Sequence, residues 1–331
     1  MSLRVRRDSV VSTSAGEPIL VAQSFTKKLS KKSKIPKPLQ FPLVVLLSFT
    51  VSSLLGTLVP VAGNESLRRV TKTPDAVGLA VLLGWRVTEL AVGWFGDYDR
   101  YDLAALSLLS QGPPLYLLGT FYNIQPQELA ISLFLNLAGT YIPFALLRPL
   151  SSAHKAGDAL PPGRGDVSSD YIIQGITTLL GAAIYSVTLQ GAYGTFLPVT
   201  LVTHFENLVS IIPAHTASLV SLFPQAIVCG LAAKTFIFTP ASTLDSSSPP
   251  FNALRATLLE TFCYNIWGFS KATKTVIKRT AALSLISGGN TFVQTFVAME
   301  GVELLGAAGY SSVWVVAASV TGLALAAVNA G

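Results

Sequence analysis

Arg86 and Glu89 stand three residues apart inside a long apolar run. That spacing puts them on one helical face. A charge in hydrocarbon needs a partner or a purpose. The two side chains can neutralise one another and lock helix packing, or they can line a polar path for a solute. A second polar group lies at 196–212, with Thr200, Thr203, His204, Glu206, Asn207 and Ser210. At helical spacing His204 is flanked by Thr200, Asn207 and Leu208, while Glu206 shares a stripe with Thr203 and Ser210. A histidine near neutral pKa beside a carboxylate can shuttle protons. The structural alternative is a hydrogen-bonded polar face against Arg86 or interfacial water. Arg86, Glu89, His204, Glu206 and Asn207 together form the candidate intramembrane polar site.

Gln111-Gly112-Pro113-Pro114 interrupts another apolar run. Two prolines remove backbone donors, and the freed carbonyls must find protein or water. The segment is expected to be a broken or kinked helix. Broken helices line sites in transporters; kinks also occur without function. Asn136, Asn290 and Gln294 add polar groups within apolar stretches. Asn290 and Gln294 share a face and are expected to bond another helix. Glu300 and Glu303 mark an outer water boundary or attract a cation. Asp97, Asp99 and Asp102 around Arg100 read as a solvated turn. Ala318, Gly322 and Ala326 repeat every four residues, which allows close helix approach, internally or with a second copy.

Conventional catalytic signatures are absent. There is no Walker loop, no G-x-G-x-x-G after a strand and no G-x-S-x-G elbow. His154, His204 and His215 are the only histidines, and the chain has two cysteines. No pair of histidines has i,i+4 spacing, so no metal site is expected, and no cofactor. Asn64-Glu65-Ser66 is a glycosylation sequon close to a span. Ser9, after Arg6-Arg7-Asp8, fits a basophilic phosphorylation site. Arg164-Gly165-Asp166 is read as chance.

The elements holding these residues follow from composition. Of 331 residues, 50% are hydrophobic and 12% charged, about half the charge of a typical soluble domain. Residues 1–40 hold nine Lys/Arg and two acids; the rest hold fourteen and fifteen. The net charge of +6 thus belongs to the tail. That removes the case for nucleic-acid binding by a folded domain. The tail is expected to be a disordered basic cytoplasmic segment.

Spanning about 30 Å of hydrocarbon takes roughly 20 apolar residues as helix. The candidates are 41–62, 75–96, 103–123, 128–148, 171–192, 217–239, 280–300 and 308–328. With eight spans and the tail inside, eighteen Lys/Arg fall inside and three outside. If 196–212 also crossed, the bias would fall to thirteen against eight. The positive-inside rule therefore favours eight, with both termini cytoplasmic and 196–212 re-entrant, interfacial or packed inside. Phe251, Leu254, Leu258, Phe262, Ile266 and Phe269 form one apolar helical face, so 251–269 is expected to be an amphipathic cytoplasmic helix, lying on the membrane surface or docked on the underside of the bundle. The tail lysines read first as the topogenic positive-inside signal; attraction of anionic lipids to the tail, and to 251–279, follows from the same charge. Which membrane, plasma or endomembrane, is not encoded in these features.

The strings Tyr101-Asp-Leu-Ala-Ala-Leu, Leu201-Val-Thr-His-Phe-Glu, Glu260-Thr-Phe-Cys-Tyr-Asn-Ile-Trp-Gly-Phe-Ser-Lys and Gln294-Thr-Phe-Val-Ala-Met-Glu-Gly-Val-Glu resemble a family of uncharacterised multi-pass membrane proteins of filamentous fungi. The resemblance runs over most of the chain after the tail. It implies membrane residence and a fungal source, and carries no activity. The expectation is therefore an all-α polytopic bundle of about eight spans. Passage of a small solute or ion is the first functional expectation, and a membrane scaffold or adaptor binding lipid headgroups or partner proteins the second. A membrane enzyme ranks below both, for want of a nucleophile or metal constellation.

Overall fold

Alternate helices run in opposite directions along one bundle. The structure, a computed structural model, describes residues 36–58, 65–154, 170–244 and 268–330. Residues 1–35 of the expected 1–40 tail, Ser9 among them, and Asn64 and most of 251–269 lie outside the described residues; residues 37–40 are already helix. From Lys37 onward the chain forms a single unit. Its helices are α1 (Lys37–Leu58), α2 (Glu65–Val70), α3 (Ala76–Phe95), α4 (Arg100–Phe121), α5 (Pro126–Leu147), α6 (Tyr171–Tyr193), α7 (Leu197–His204), α8 (Ile212–Thr216) and α9 (Leu219–Ala233). A π-turn, Lys234–Phe238, joins α9 to α10 (Thr239–Ser242). Then come α11 (Lys271–Val293), which ends in a second π-turn (Gln294–Ala298), and α12 (Leu304–Ala330).

The helix starts are written in the sequence. Asp75 accepts from the Gly78 N–H to open α3. Asp99 and Asp102 form a reciprocal capping box at α4. Ser218 and Ser221 do the same at α9, and Ser270 caps α11 through the Thr273 N–H. Each cap answers donors that the first helical turn leaves free.

Six helical segments are long and apolar enough to cross a membrane: Pro38–Thr57, Ala76–Phe95, Pro126–Leu147, Tyr171–Tyr193, Leu219–Ser242 and Leu304–Val328. The two other expected spans are helical and of similar length, but more polar. These are α4, with Asp102, Ser107, Ser110 and Gln111, and α11, with Lys271, Lys274, Lys278, Arg279 and Asn290. They are also deeply enclosed: thirteen residues of α4 and ten of α11 are buried, against three of α3. In lipid the outer surface must be apolar, and polar groups belong where protein can answer them. Six helices are thus apolar enough to cross a membrane, while α4 and α11 are as long but carry polar groups.

α4 packs on α5, α9 and α11; α11 packs on α12 and α3; α6 packs on α9 and α12; and α1 packs on α5 and α3. α6 meets α9 where Gly181 and Gly230 approach. A Cβ on Gly181 would lie 3.0 Å from the Gly230 Cα. Gly322 sits against Thr280 of α11, and Ala318 is fully buried. The small-residue repeat of α12 thus serves an internal contact.

One end of the bundle is tied by the α3–α4 turn, the segment after α5 and the starts of α6 and α11. The other is tied by Lys72 N–H to Ala298 O, Glu206 N–H to Gly301 O and Val209 N–H to Phe121 O. Because the long helices alternate, α1 enters and α12 leaves at the first end.

Candidate functional site

The five predicted polar residues fall in two separate places. On α3, Arg86 Nη1 donates to Glu89 Oε2 at 3.1 Å. Arg86 Nη2 also reaches Thr140 Oγ1 of α5 at 2.8 Å. Ser48 of α1 donates to Gly139 O at 2.7 Å, which closes a small polar site among α1, α3 and α5. The second Glu89 oxygen, Oε1, is buried without a partner.

His204 instead ends α7, where its Nδ1 lies 2.7 Å from Glu303 Oε2 at the start of α12. The helix stops there, so the expected stripe of Thr203, Glu206 and Ser210 does not form. Glu206 folds over Gly301, whose φ of +69° makes room that a side chain would fill. Asn207 adopts φ +57°, a left-handed turn that asparagine accepts more readily than most residues. His204 thus pairs with Glu303, and Arg86 with Glu89 and α5.

The double proline does not break α4, which is helical from Arg100 to Phe121. Pro113 and Pro114 lack the N–H groups that would bond the carbonyls of Leu109 and Ser110. Both carbonyls are answered by α11: Ser287 Oγ donates to Leu109 O at 3.0 Å, and Asn290 Nδ2 to Ser110 O at 2.8 Å. From α12, Tyr310 donates to Pro113 O at 2.7 Å. One turn on, the Tyr193 hydroxyl of α6 donates to that of Tyr116 at 2.9 Å, and α9 packs on α4. Trp314 stands edge-on to Tyr116, with centroids 6.0 Å apart. The stretch Ser110–Tyr116 is thus a polar centre touched by four helices.

A second centre, at the end where α1 enters, overturns the expectation of a solvated turn. Of the three acids Asp97 alone is exposed; Asp99 and Asp102 are buried. Arg279 of α11 grips Asp102 with two bonds, at 2.7 and 2.9 Å. The same guanidinium donates at 2.7 Å to Phe236 O in the π-turn, and lies over the rings of Tyr98 and Phe236. Asp99 accepts from the backbone of Tyr101 and Asp102, from Ser151 N–H and Oγ, and lies 2.8 Å from His154 Nδ1. Burial pushes the Asp99 carboxyl up, but these hydrogen bonds outweigh it and hold it well below the usual carboxylate range. Nearby, Arg148 donates to Gly93 O and Trp94 O near the end of α3 and to Tyr98 O in the turn that follows.

Asp99, Asp102 and His154 present ligand atoms within 4.8 Å of one another. This is not a vacant donor set. Arg279 occupies both Asp102 oxygens, and Asp99 serves the cap, Ser151 and His154. The arrangement neutralises buried charge and pins α11 and the Ser151–His154 turn to the start of α4. Sequence reasoning missed it because Arg279 and Asp102 are 177 residues apart.

No family model, curated protein or solved structure matches the chain.

Proposed function

We propose that the chain is an eight-crossing membrane protein with both termini cytoplasmic, and that its interior passes a small polar solute or ion. The six apolar helices are compatible with membrane residence, and α4 and α11 are read as the two enclosed crossings. α7 has eight residues, about 12 Å of helix, and is read as a re-entrant or interfacial element. The charge bias places the termini. The family resemblance supplies the setting, a plasma membrane or endomembrane of a filamentous fungus.

One observation carries the passage reading. Ser186 Oγ and Gln190 Oε1 on α6, and Asn290 Oδ1 on α11, are buried without partners. Ser186 and Gln190 belong to the stripe of α6 that reaches Tyr193, and Asn290 is the residue that answers the proline-freed Ser110 carbonyl. An unmade buried hydrogen bond costs about 1–3 kcal/mol. A polar solute, or water moving with it along the Ser110–Tyr116 stretch, supplies the missing partners.

The test is flux into proteoliposomes, of protons read by a trapped pH dye and of glycerol read by light scattering. Flux above protein-free liposomes, lost in Ser186→Ala/Gln190→Leu at unchanged thermal stability, supports passage. A dry interior predicts the reverse: the double variant gains stability, because uncompensated polar groups are gone, and flux stays at background.

The second reading is a non-catalytic scaffold or adaptor. It is favoured by the pairing of Arg86 with Glu89 and of Arg279 with Asp102, which gives each charge a sufficient structural reason.

A further inference from the structure

Lys271, Lys274 and Lys278 of α11 follow one another at three- and four-residue steps, and Ala281 and Leu285 continue the same stripe. Such spacing keeps all five on one face. The stripe looks outward: Lys271, Lys278 and Ala281 are exposed, Lys274 is half-buried, and Leu285 is 60% exposed. On the next helical row Ile277 is also exposed. The opposite face of α11 carries the buried residues Arg279, Ile286, Ser287 and Asn290. Among the described residues no acidic side chain pairs with the three lysines. The nearby carboxylate, Asp102, is taken by Arg279, and Lys234 is buried against Gln174 on another helix. Three cations with no acidic partner among the described residues thus stand over an apolar strip on α11, at the end where α1 enters.

We propose that this stripe is a binding site for an anionic phospholipid. The lysines span about 10 Å along the axis and take the phosphate and any further negative charge of the headgroup. The acyl chain lies below them along Ala281 and Leu285, with Ile277 beside it. The pairing of charge above with apolar surface below fits an amphiphile; a free anion would use only the lysines. Long basic side chains at a helix end reach the headgroup level while their stems stay in contact with apolar surface. The inference rests on membrane residence, and is independent of whether the interior passes a solute.

The test uses the full-length protein in nanodiscs of phosphatidylcholine with a rising share of phosphatidylserine, with retained lipid counted by native mass spectrometry. The variant is Lys271→Gln/Lys274→Gln/Lys278→Gln. At about 1 kcal/mol for each basic residue near an anionic surface, phosphatidylserine should be held about 100-fold less tightly by the variant. Leu285→Ser should weaken binding with the lysines intact. Equal retention of both lipids by wild type would overturn the proposal. So would undiminished retention by the triple variant, loss only when the 27–37 lysines are changed, or displacement by inorganic phosphate at equal charge. Unchanged thermal unfolding of the variant in detergent is the control for folding. A failure of the flux assay would leave this result untouched.

Discussion

The side-chain amide of Asn290 donates to the carbonyl of Ser110 at 2.8 Å, and that carbonyl is free because Pro114 stands four residues further on. One turn back on α11, Ser287 does the same for the carbonyl that Pro113 frees. Two residues three apart on one helix thus answer two adjacent prolines on another. Lipid offers neither carbonyl a donor. This explains why α4 stays helical, and why it is enclosed.

The pairing sets up a double-mutant cycle. Asn290→Leu leaves the Ser110 carbonyl unanswered and should lower stability by about 1–3 kcal/mol. Pro114→Ala restores a backbone donor to that same carbonyl. The combined variant should therefore lose clearly less than the two single losses added together. Thermal unfolding of the four purified proteins in one detergent measures it. Additive losses would show that the amide is not there for the proline.

Arg86 and Glu89 make a second cycle. Glu89→Gln removes the negative charge beside a half-buried cation and leaves it neutral acceptors alone, and breaking a buried pair costs about 3–5 kcal/mol in soluble proteins. Cellular abundance should fall several-fold. Arg86→Leu with Glu89→Leu leaves no unpaired charge and should restore much of it. An abundant double variant that complements a deletion strain points to packing; an abundant but inactive one points to a solute path. If the double variant is no more abundant than the singles, the pair is not a unit.

How far these features were legible from residues alone depends on their range. The Arg86–Glu89 pair was legible because i,i+3 spacing is local. The long helices were legible because hydrocarbon thickness sets their length. α11 nevertheless begins nine residues before the expected span at 280, since a helix need not stop where its apolar run does. The partner of His204 was not legible: Glu303 is 99 residues away, and no periodicity links them. Asp99 and Asp102 look like a water-facing turn in any local window. Only the arrival of Arg279 and the Ser151–His154 turn makes them interior. The proline pair announced missing donors correctly, but the side chains that supply them lie far along the chain.

Two glycines should respond oppositely to alanine. A Cβ on Gly230 would meet the α6 backbone at Thr178, and Ala182 N at 2.6 Å. Backbone cannot swing aside, so α6 and α9 must separate; Gly230→Ala should cost about 1–3 kcal/mol, as overpacking does. A Cβ on Gly112 meets nothing within 4 Å, and Gly112→Ala should gain about 0.5–1 kcal/mol from the stiffer unfolded chain. Melting temperatures of the two variants decide. Equal behaviour would mean that the α6–α9 approach is not tight.

Asp99 carries the pH prediction. Its carboxyl is held below the usual range in the folded protein, while in the unfolded chain it titrates near about 4. The folded state therefore binds its proton less readily. Above pH of about 4 the ionised group contributes its full stabilisation, and that contribution is lost as pH falls from there toward the lower folded-state value. Asp99→Asn removes the charge that holds the cap, Ser151 and His154. The variant should be less stable than wild type at pH 7, and the gap should narrow steadily below pH 4. His154→Gln supplies the control: it deletes one partner and keeps the carboxylate, so its deficit should be smaller and the acid-dependent gap to Asp99→Asn should persist. Unfolding midpoints from pH 3 to pH 8 in a non-ionic detergent would show this. A gap between wild type and Asp99→Asn that stays constant across that range would mean the carboxylate is not ionised in the fold, and the network joining α4 to the Ser151–His154 turn would have to be redrawn around a neutral acid.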